Sequence, residues 1–387
     1  MKYTTFGNSN VEVSSLGFGC MRMPQTNVNG ENILDEDAAV QLLRKAYDLG
    51  VTYFDSAYFY HAGRSEHVLG RALKGIRDKV VVSTKSPSSH MKQAGDYRRV
   101  LEEQLTKLDM DYIDFYHFHG ISYEGFVDVD KRTGWIADAI KAKEEGLVKH
   151  LSFSFHASPG DDVAEEDKAS YTSDNMIKLI DLGYFESVLC QYNVLDRSNE
   201  RGMAYAKSKG MGVAVMGPLG GGRVSGLPKE LAAKLGIEVR SSVELGLRFV
   251  AANPNVDIIL SGMSSEAQLV ENAALVSDLS PLSGSERDGI DAMMQENRRL
   301  AQLYCTGCGY CVPCPQEVNI PHIFSMMNYH NVYGITEFAK NGYKSIGTGW
   351  ITGKRADACN KCGACEKKCP QKIHIREQLA DAHAALA

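Results

Sequence analysis

Residues 80–119, VVVSTKSPSSHMKQAGDYRRVLEEQLTKLDMDYIDFYHFH, contain one complete strand–helix–strand unit. The β-branched run at 80–85 and the aromatic-rich run at 113–119 predict two strands. Between them, the apolar residues of 97–108 recur at three- and four-residue spacing, as a helix with one buried face requires. A strand, a helix and a second strand in this order predict a parallel pair of strands joined by a crossover helix.

The same unit repeats over the first 280 residues. Strands are predicted at 16–19, 53–57, 80–85, 113–119, 148–154, 187–193, 211–217 and 257–262. Helical patterns lie between them, among others at 36–49, 97–108, 134–145 and 242–252. Eight strands that alternate with helices predict an α/β fold, the (β/α)8 TIM barrel. A doubly wound sheet is the alternative, although it seldom has eight such units. Residues 3–16 (YTTFGNSNVEVSSL) predict a hairpin ahead of the first barrel strand.

Length, charge and hydropathy exclude several classes of protein. The 387 residues suffice for two domains, one of them large. The net charge is −6, from 42 basic and 48 acidic residues, and no basic stripe is visible, so nucleic acid is not expected as a partner. No apolar run reaches the ~18 residues of a membrane helix. The polar start MKYTTFGNSN lacks the pattern of a signal peptide. These features favour a cytoplasmic protein without a membrane partner.

Eight of the ten cysteines lie in the last 83 residues, in two groups that each end in Cys-Pro. The second group has the C-x2-C-x2-C-x3-C-P spacing of bacterial ferredoxins. Structural zinc sites more often use two separated pairs, and disulfides need an oxidising compartment. The sequence therefore predicts [4Fe–4S] clusters, with two as the expected number. The predicted ligands are Cys305, Cys308, Cys311, Cys314, Cys359, Cys362, Cys365 and Cys369.

The spacing of the cysteines also predicts how they are divided between the two clusters. In the cross-ligated ferredoxin pattern, the last cysteine of each group binds the cluster of the other group. Cys314 would then join the second group and Cys369 the first, although Cys314 follows two residues where three are usual. We expect a barrel domain over 1–285 and a small, mainly α-helical ferredoxin-like domain over 286–387. It would begin with a helix at about 285–303 capped by Ser285, and an inserted helical segment would separate the cysteine groups.

Four ionisable residues fall at the ends of three successive predicted strands. Asp55 lies at the end of the second strand, Tyr60 follows in the loop, and Lys85 and His119 end the third and fourth. Active sites of such barrels lie at this end of the strands. We expect Tyr60 to be a general acid whose pKa Lys85 lowers, with Asp55 orienting Lys85 and His119 binding a carbonyl oxygen. Independent polar residues at strand ends are the alternative.

These motifs give the chain a resemblance to the aldo-keto reductase family. Residues 54–60 (FDSAYFY) resemble its DTA-x-x-Y signature, residues 83–85 its lysine strand and residues 111–119 its histidine strand. The register selects His119, and His117 is expected to be a packing residue that points elsewhere. With its C-terminal cysteine groups, the chain resembles the subfamily that carries a ferredoxin-type dicluster domain.

The resemblance implies an NAD(P)-dependent oxidoreductase that acts on a small-molecule carbonyl or alcohol. It also implies that NADP or NAD binds across the barrel mouth without a Rossmann fold. Ser154 and Gln191 would hold the nicotinamide carboxamide, Met216 would lie under the ring, residues 217–223 would cover the pyrophosphate and residues 264–272 the adenosine. The cofactor-binding residues implied are Ser154, Gln191, Met216, Gly217, Pro218, Leu219, Gly221, Arg223, Ser264, Gln268, Glu271 and Asn272.

Two functions fit these features. The first is an enzyme that interconverts an aldehyde or ketone with an alcohol, whose clusters are structural or exchange electrons with a partner protein. The second is a binding module that senses redox state or nicotinamide and whose clusters regulate a protein contact. Hydride transfer moves two electrons while a cluster passes one, and no flavin motif is evident to couple them.

Overall fold

The computed structural model describes residues 1–28, 31–156, 168–220, 224, 239–280, 282–292, 311–349, 351–369 and 373–387. The chain divides into two compact units. The barrel unit comprises Met1–Ser158, Ser170–Pro218 and Leu247–Pro281, and the C-terminal unit includes Leu282–Ala387. The domain boundary expected between residues 285 and 286 stays a prediction.

The barrel unit contains the predicted eight-stranded parallel barrel. Its eight strands pair with their neighbours in chain order, and the last strand pairs with the first to close the barrel. Each predicted strand is confirmed, with ends that differ by at most two residues. The barrel strands are β3 (Leu16–Gly19), β6 (Tyr53–Asp55), β7 (Val81–Pro87), β8 (Ile113–His119), β9 (Val148–Phe155), β10 (Ser187–Gln191), β11 (Gly212–Met216) and β12 (Ile258–Ser261).

Two antiparallel hairpins accompany the barrel. The predicted N-terminal hairpin is confirmed as β1 (Tyr3–Thr5) paired with β2 (Glu12–Ser14). A second hairpin, β4 (Gln25–Val28) with β5 (Glu31–Leu34), follows β3.

Helices separate the barrel strands, as the apolar spacing predicts. They have one buried face each because their apolar residues recur on one side. Asp35 caps the first helix by accepting a hydrogen bond from the Ala38 N–H. The helices are α1 (Glu36–Asp48), α2 (Ser65–Leu73), α3 (Asp96–Leu108), α4 (Tyr123–Thr133), α5 (Trp135–Glu144), α6 (Lys168–Asp181), α7 (Glu200–Ser208), α8 (Ser242–Ala251) and α9 (Glu266–Ser277).

The N-terminal hairpin fills one end of the barrel. Phe6, in its turn, packs edge-on against Tyr53 and Phe115, with ring centroids 5.8 and 5.0 Å apart. A Cβ at Gly212 would lie 2.6 Å from the Phe6 ring, so the first residue of β11 must be glycine for the ring to fit. Because Tyr53 and Gly212 begin their strands, this plug occupies the N-terminal end of the barrel. The opposite end is left for the site.

The C-terminal unit is mainly helical among its described residues. The segment predicted between the two cysteine groups is confirmed as helical, with α10 (Ile320–Asn331) and α11 (Thr336–Lys344); α12 (Ala364–Lys368) and α13 (Ile375–Leu386) follow. These helices share one apolar core. Its buried residues are Val318, Ile320, Ile323, Phe324, Met326, Ala339, Tyr343, Ile346, Ala356, Cys369, Ile373, Ile375, Leu379, Ala382 and Leu386.

The helix expected from about residue 285 begins slightly earlier, and its cap is a different serine. Residues 284–292 are helical, and residues 293–303 lie outside the described part. Ser283 Oγ accepts the Glu286 N–H, while the Glu286 carboxylate accepts the Ser283 N–H at 2.7 Å. This reciprocal capping box satisfies two free donors at once. The expectation that Ser285 caps the helix is therefore wrong. Within the described ranges, no helix is long and apolar enough to cross a membrane.

Candidate active site and cysteine groups

The C-terminal ends of β6, β7 and β8 bring the predicted catalytic residues to one place. Lys85 Nζ donates to Asp55 Oδ2 and to the Ser56 carbonyl oxygen, each at 2.5 Å. Ser83, which pairs with Asp55 across the two strands, donates to the other carboxylate oxygen at 2.8 Å. The Asp55 and Lys85 side chains are 3% and 1% exposed. A buried ion pair with these extra hydrogen bonds holds the ammonium in one position.

Tyr60 and His119 complete the group above this ion pair. Lys85 Nζ lies 5.0 Å from the centroid of the Tyr60 ring. The rings of Tyr60 and His119 meet edge to face at 6.5 Å between centroids. After Tyr60 the chain turns sharply, and His61 and Ala62 both adopt left-handed backbone angles, with φ of 52° and 53°. Such strained conformations are maintained by the surrounding structure, so the loop that carries Tyr60 is held in a defined shape.

Burial and the Lys85 charge set the protonation states. Burial raises the pKa of Tyr60, and the nearby Lys85 charge opposes this effect without cancelling it. Burial alone would lower the pKa of Lys85, but Asp55 and Tyr60 outweigh it and the pKa is raised. Burial, with Lys85 and His156, lowers the pKa of His119 to about 3. At neutral pH the site therefore contains a charged lysine, a protonated tyrosine and a neutral histidine.

His117 lies inside the barrel, directly below this group. The expectation that it points elsewhere is wrong, because alternate residues of a strand face the same side and His117 and His119 are two apart. It is completely buried, with Nδ1 2.8 Å from Ser152 Oγ. Its Nε2 is 3.5 Å from the Tyr53 hydroxyl and 3.7 Å from Asp55 Oδ1.

The residues expected at the nicotinamide also share the open end of the barrel. Ser154, Gln191 and Met216 lie at or near the ends of β9, β10 and β11, and Gln191 pairs with Met216 in the sheet. The Gln191 side chain donates to Asp196 Oδ2 at 2.8 Å, which fixes its amide. The Ser154 hydroxyl accepts the Gly120 N–H at 2.8 Å. Two polar groups and a thioether thus lie at the same end of the barrel as the catalytic group.

The expected pyrophosphate loop is described only in part. Gly217 has φ of 62°, a left-handed conformation that suits glycine, and it follows Met216 directly. Pro218 is buried and Leu219 half-buried. Gly221 and Arg223 lie outside the described residues.

The expected adenosine segment forms the start of α9. Ser264 donates from its N–H and its hydroxyl to Gln268 Oε1, at 2.8 and 3.1 Å, and Glu271 is exposed one turn further on. Asn272 is buried, and its amide nitrogen donates to Ser261 Oγ at 3.1 Å. This bond orients the Asn272 side chain. Its oxygen is the atom type that would accept a hydrogen bond from an amino group.

The described cysteines of both groups border the core of the C-terminal unit. Cys311, Cys314, Cys359 and Cys365 pack against that core, and Cys369 is part of it. Cys362 is exposed. Cys305 and Cys308 lie outside the described residues. Across the described part of the chain, no three His, Cys, Asp or Glu side chains converge closely enough to hold a metal ion.

The donor set nevertheless suits iron–sulfur clusters. All six described thiols belong to one small unit, and soft sulfur is the ligand these clusters use. Burial is the main cause that raises the pKa of Cys365, and Cys314 adds to it. Cys314 and Cys365, one from each cysteine group, pack against the same apolar core.

Two buried features of the site were not evident from the sequence. Cys20 is completely buried, and burial is the main cause that raises the pKa of its thiol, with Asp55 and Lys85 also influencing it. Glu66 is completely buried behind β7, where one carboxylate oxygen accepts from Thr84 at 2.7 Å and from Gln104 at 2.5 Å. No local sequence pattern indicates that Glu66 would contact Thr84 and Gln104.

Comparison with known proteins agrees with this geometry. The model of the aldo/keto reductase family matches residues 15–295, and the 4Fe-4S dicluster domain matches residues 304–374. L-galactose dehydrogenase of Arabidopsis thaliana is 30% identical over 301 residues, which are 71% of this chain and 88% of that protein. A probable voltage-gated potassium channel subunit beta of Oryza sativa subsp. japonica is 25% identical over 352 residues, covering 79% of this chain and 100% of that protein.

A solved structure shows the same fold. The aldo-keto reductase AKR11C1 from Bacillus halodurans, in its holo form, superimposes with a TM-score of 0.59 and 25% identity, over 76% of this chain and 96% of that one. The family match covers most of the chain and includes the strands that carry Asp55, Lys85 and His119. The chain is a member of the aldo/keto reductase family that carries a C-terminal 4Fe-4S dicluster domain.

Proposed function

We propose that this protein interconverts an aldehyde or ketone and the corresponding alcohol by hydride transfer with NAD(P)H, with Tyr60 as the general acid. One observation carries the proposal: the Lys85–Asp55 ion pair is buried at the strand ends, 5.0 Å from the Tyr60 ring and next to His119. A charged lysine next to a buried phenol makes loss of the phenolic proton easier at the moment of reaction.

Each of the four residues has a separate task. When bound, NAD(P)H supplies the hydride. The neutral His119 donates an N–H to the carbonyl oxygen, and Tyr60 gives its proton to the same oxygen as it becomes an alkoxide. Lys85 stabilises the tyrosinate that is left, and Asp55 keeps Lys85 charged and in place. In the oxidative direction the same residues work in reverse, with the tyrosinate as base.

Cofactor binding is assigned to the barrel mouth and the start of α9. Ser154, Gln191 and Met216 would contact the nicotinamide. Gly217, Pro218, Leu219, Gly221 and Arg223 would cover the pyrophosphate. Ser264, Gln268, Glu271 and Asn272 would bind the adenosine half. The exposed Ser264 and Gln268 can form hydrogen bonds to the adenosine half but carry no positive charge for the 2′-phosphate of NADP. These two residues therefore do not distinguish NADP from NAD.

The C-terminal unit is proposed to hold two [4Fe–4S] clusters, which are structural or exchange electrons with a partner. The surface around the exposed Cys362 supports a partner of negative charge. Exposed cations cluster there in the sequence, and two of them are paired, Lys354 with Glu317 and Arg376 with Glu366. We use the name basic rim for the exposed basic residues that lie near Cys362 in the sequence, which are Lys354, Arg355, Lys361, Lys367, Lys368 and Arg376. A small acidic one-electron carrier fits such a rim.

Replacement of Tyr60 by Phe tests the catalytic assignment. The variant keeps the ring but loses the proton donor, so the rate of reduction of para-nitrobenzaldehyde by NADPH should fall by about a hundredfold or more. Binding of NADPH and the visible absorbance of the clusters should remain. Tyr58→Phe is the matched control, since the Tyr58 hydroxyl bonds to Glu103 instead of the site. An undiminished rate in Tyr60→Phe would disprove the assignment.

A second candidate is a redox- or nicotinamide-sensing module whose clusters regulate a protein contact. The alignment over the full length of a protein named as a probable potassium channel subunit favours this second candidate, because a subunit is part of a protein assembly. Turnover separates the two candidates. Tight binding of NADPH without reduction of any aldehyde or ketone would favour the sensor.

A further inference from the structure

The loop after β10 holds the side chain of Gln191 in one orientation. Gln191 is the last residue of β10, and it pairs with Met216 at the end of β11. Two residues earlier in these strands, Leu189 and Ala214 belong to the apolar cluster that includes Phe6 inside the barrel. Because alternate residues of a strand face the same side, the Gln191 side chain also faces the barrel interior, at its open end.

Asp196 determines which side of the Gln191 amide faces the loop. Asp196 Oδ2 accepts a hydrogen bond from Gln191 Nε2 at 2.8 Å. A carboxylate can only accept hydrogen bonds, whereas an amide has a donor side and an acceptor side. The nitrogen of the Gln191 amide must therefore face Asp196, and the amide oxygen must face away from it.

The Asp196 carboxylate is itself held by its neighbours. Its other oxygen, Oδ1, accepts from the Ser198 hydroxyl at 2.7 Å and from the Ser198 N–H at 3.3 Å. The backbone of Asp196 forms two hydrogen bonds with that of Asn193, at 2.9 and 3.1 Å. Asn199 also donates to the Gln191 carbonyl oxygen at 2.8 Å. Both partners of the hydrogen bond between Gln191 and Asp196 are therefore fixed by the same loop.

The acceptor side of the Gln191 amide is available to a ligand. The residue is half-buried, and its Oε1 accepts no hydrogen bond from the residues that the structure describes. A Cβ placed on Gly217 would lie 3.8 Å from Oε1, so this oxygen is next to the first residue of the expected pyrophosphate loop. Asn193 donates to the Gly217 carbonyl oxygen at 2.9 Å and so joins the two loops. An acceptor in this place suits a ligand that brings an N–H donor.

We propose that Asp196 is a positioning residue that makes the cofactor site selective for a carboxamide: it holds the nitrogen of the Gln191 amide, so that Oε1 accepts the N–H of the nicotinamide carboxamide. The inference rests on the proposed function, which assigns Gln191 to the nicotinamide. A cofactor with a methyl group in place of the carboxamide nitrogen would leave Oε1 without a donor. The 3-acetylpyridine analogue of NADP+ is such a cofactor.

Asp196→Asn should turn the Gln191 amide over while the loop keeps its shape. The Ser198 N–H and hydroxyl still need an acceptor, so the new amide keeps its oxygen towards Ser198 and turns its nitrogen towards Gln191. Because two N–H donors cannot pair, the Gln191 amide rotates and presents its own N–H groups to the barrel mouth. A carbonyl oxygen is then the matching ligand group, and both cofactors can provide one by rotating the substituent on the pyridine ring.

Isothermal titration calorimetry of the full-length protein under anaerobic conditions measures this selectivity. In the unmodified protein we expect the Kd of NADP+ to be about tenfold lower than that of its 3-acetylpyridine analogue. In Asp196→Asn the ratio of the two Kd values should approach one. A merely structural role would weaken both ligands alike, and the lost negative charge also cancels in the ratio, because both ligands carry the same phosphates. NAD+ and its 3-acetylpyridine analogue replace this pair if the protein binds NAD+ more tightly.

Three further variants keep the test decisive. Asp181→Asn is the matched control, because Asp181 is exposed on α6 and accepts from the Tyr205 hydroxyl at 2.6 Å; its ratio should equal that of the unmodified protein. If Asp196→Asn fails to fold, Asp196→Ala allows both orientations of the Gln191 amide and should also lower the ratio. In the double variant Asp196→Asn with Gln191→Glu, a carboxylate again offers only acceptors, so the preference for NADP+ should return.

Two results would overturn the inference alone. One is a ratio close to one in the unmodified protein, and the other is an unchanged preference in both Asp196 variants. Either result leaves the proposed function intact, because the cofactor still binds. If the protein binds neither NADP+ nor NAD+, the proposed function fails and the inference fails with it, which is a distinct outcome.

Discussion

Replacement of Asp55 by Asn would leave the Lys85 ammonium buried without its counter-ion. The two side chains are 3% and 1% exposed, and Nζ lies 2.5 Å from Oδ2, so solvent cannot compensate. Breaking one partner of a buried pair costs about 3–5 kcal/mol of the free energy of unfolding. Lys85 can instead release its proton. From a reference pKa near 10.4 that costs about 5 kcal/mol at neutral pH, at about 1.4 kcal/mol per pH unit, which sets an upper limit.

This upper limit gives the loss a characteristic pH dependence. In the unmodified protein the raised pKa of Lys85 means that its stabilising contribution is fully present below the unfolded pKa and is lost as pH rises through the folded one. In Asp55→Asn the cost of deprotonating Lys85 falls with pH, to about 2 kcal/mol near pH 9. The difference in stability between the two proteins should therefore shrink from about 3–5 kcal/mol at neutral pH to about 2 kcal/mol.

Urea denaturation followed by circular dichroism under anaerobic conditions measures this difference. Asp109→Asn is the matched control, because Asp109 pairs with Lys74 at 3.9 Å and both side chains are 79% exposed; no measurable change is expected there. The double variant Asp55→Asn with Lys85→Met should recover much of the loss, since no unpaired charge remains. A loss below about 1 kcal/mol at neutral pH, or one that does not change with pH, would refute the reasoning.

Three further predictions follow from the site and from the cysteine groups. The pKa of His119 is lowered to about 3 in the folded protein, so as the pH falls below the ordinary histidine pKa only the unfolded chain binds a proton at this residue. The free energy of unfolding should therefore fall between about pH 7 and 5, and urea denaturation should show a smaller fall for His119→Gln. Anaerobic analysis should find about eight iron and eight sulfide per chain, and fewer in Cys314→Ser; about four in the unmodified protein would contradict two clusters. Lys361→Glu with Lys367→Glu should weaken salt-dependent binding of an acidic flavodoxin more than Lys131→Glu on α4 does; equal effects would rule out the basic rim as its docking surface.

The electron count limits what the two units can do together. A hydride carries two electrons and each cluster one, so the barrel and the clusters cannot exchange electrons directly without an intermediate carrier. An acidic one-electron carrier would exchange electrons only with the clusters and not with the nicotinamide. The catalytic and cluster predictions are therefore independent, and failure of one leaves the other standing.

The spacing of apolar residues along the sequence was sufficient to predict the barrel. All eight strands and the N-terminal hairpin follow from local patterns, because a strand buried between helices needs a continuous apolar run and a helix needs apolar residues on one side. The strand ends that carry Asp55, Lys85 and His119 follow too, since parallel strands place their C-terminal ends at one face. Helix caps were less predictable: Ser283, not Ser285, caps the helix at 284–292, because two nearby serines can both be caps and only the backbone decides.

Contacts between residues that are distant in the sequence could not be predicted in this way, because they depend on long-range packing. The spacing of His117 and His119 indicates that they share a face, but the contact of His117 with Asp55 depends on how β6, β8 and β9 meet around the barrel axis. Likewise, Asn272 is a plausible ligand in sequence, while the fold turns it inward onto Ser261. The chain by itself determined which residues carry chemistry, because residue type and spacing are local properties. Only the tertiary structure determined which of them touch, because contacts between distant strands depend on register and barrel closure.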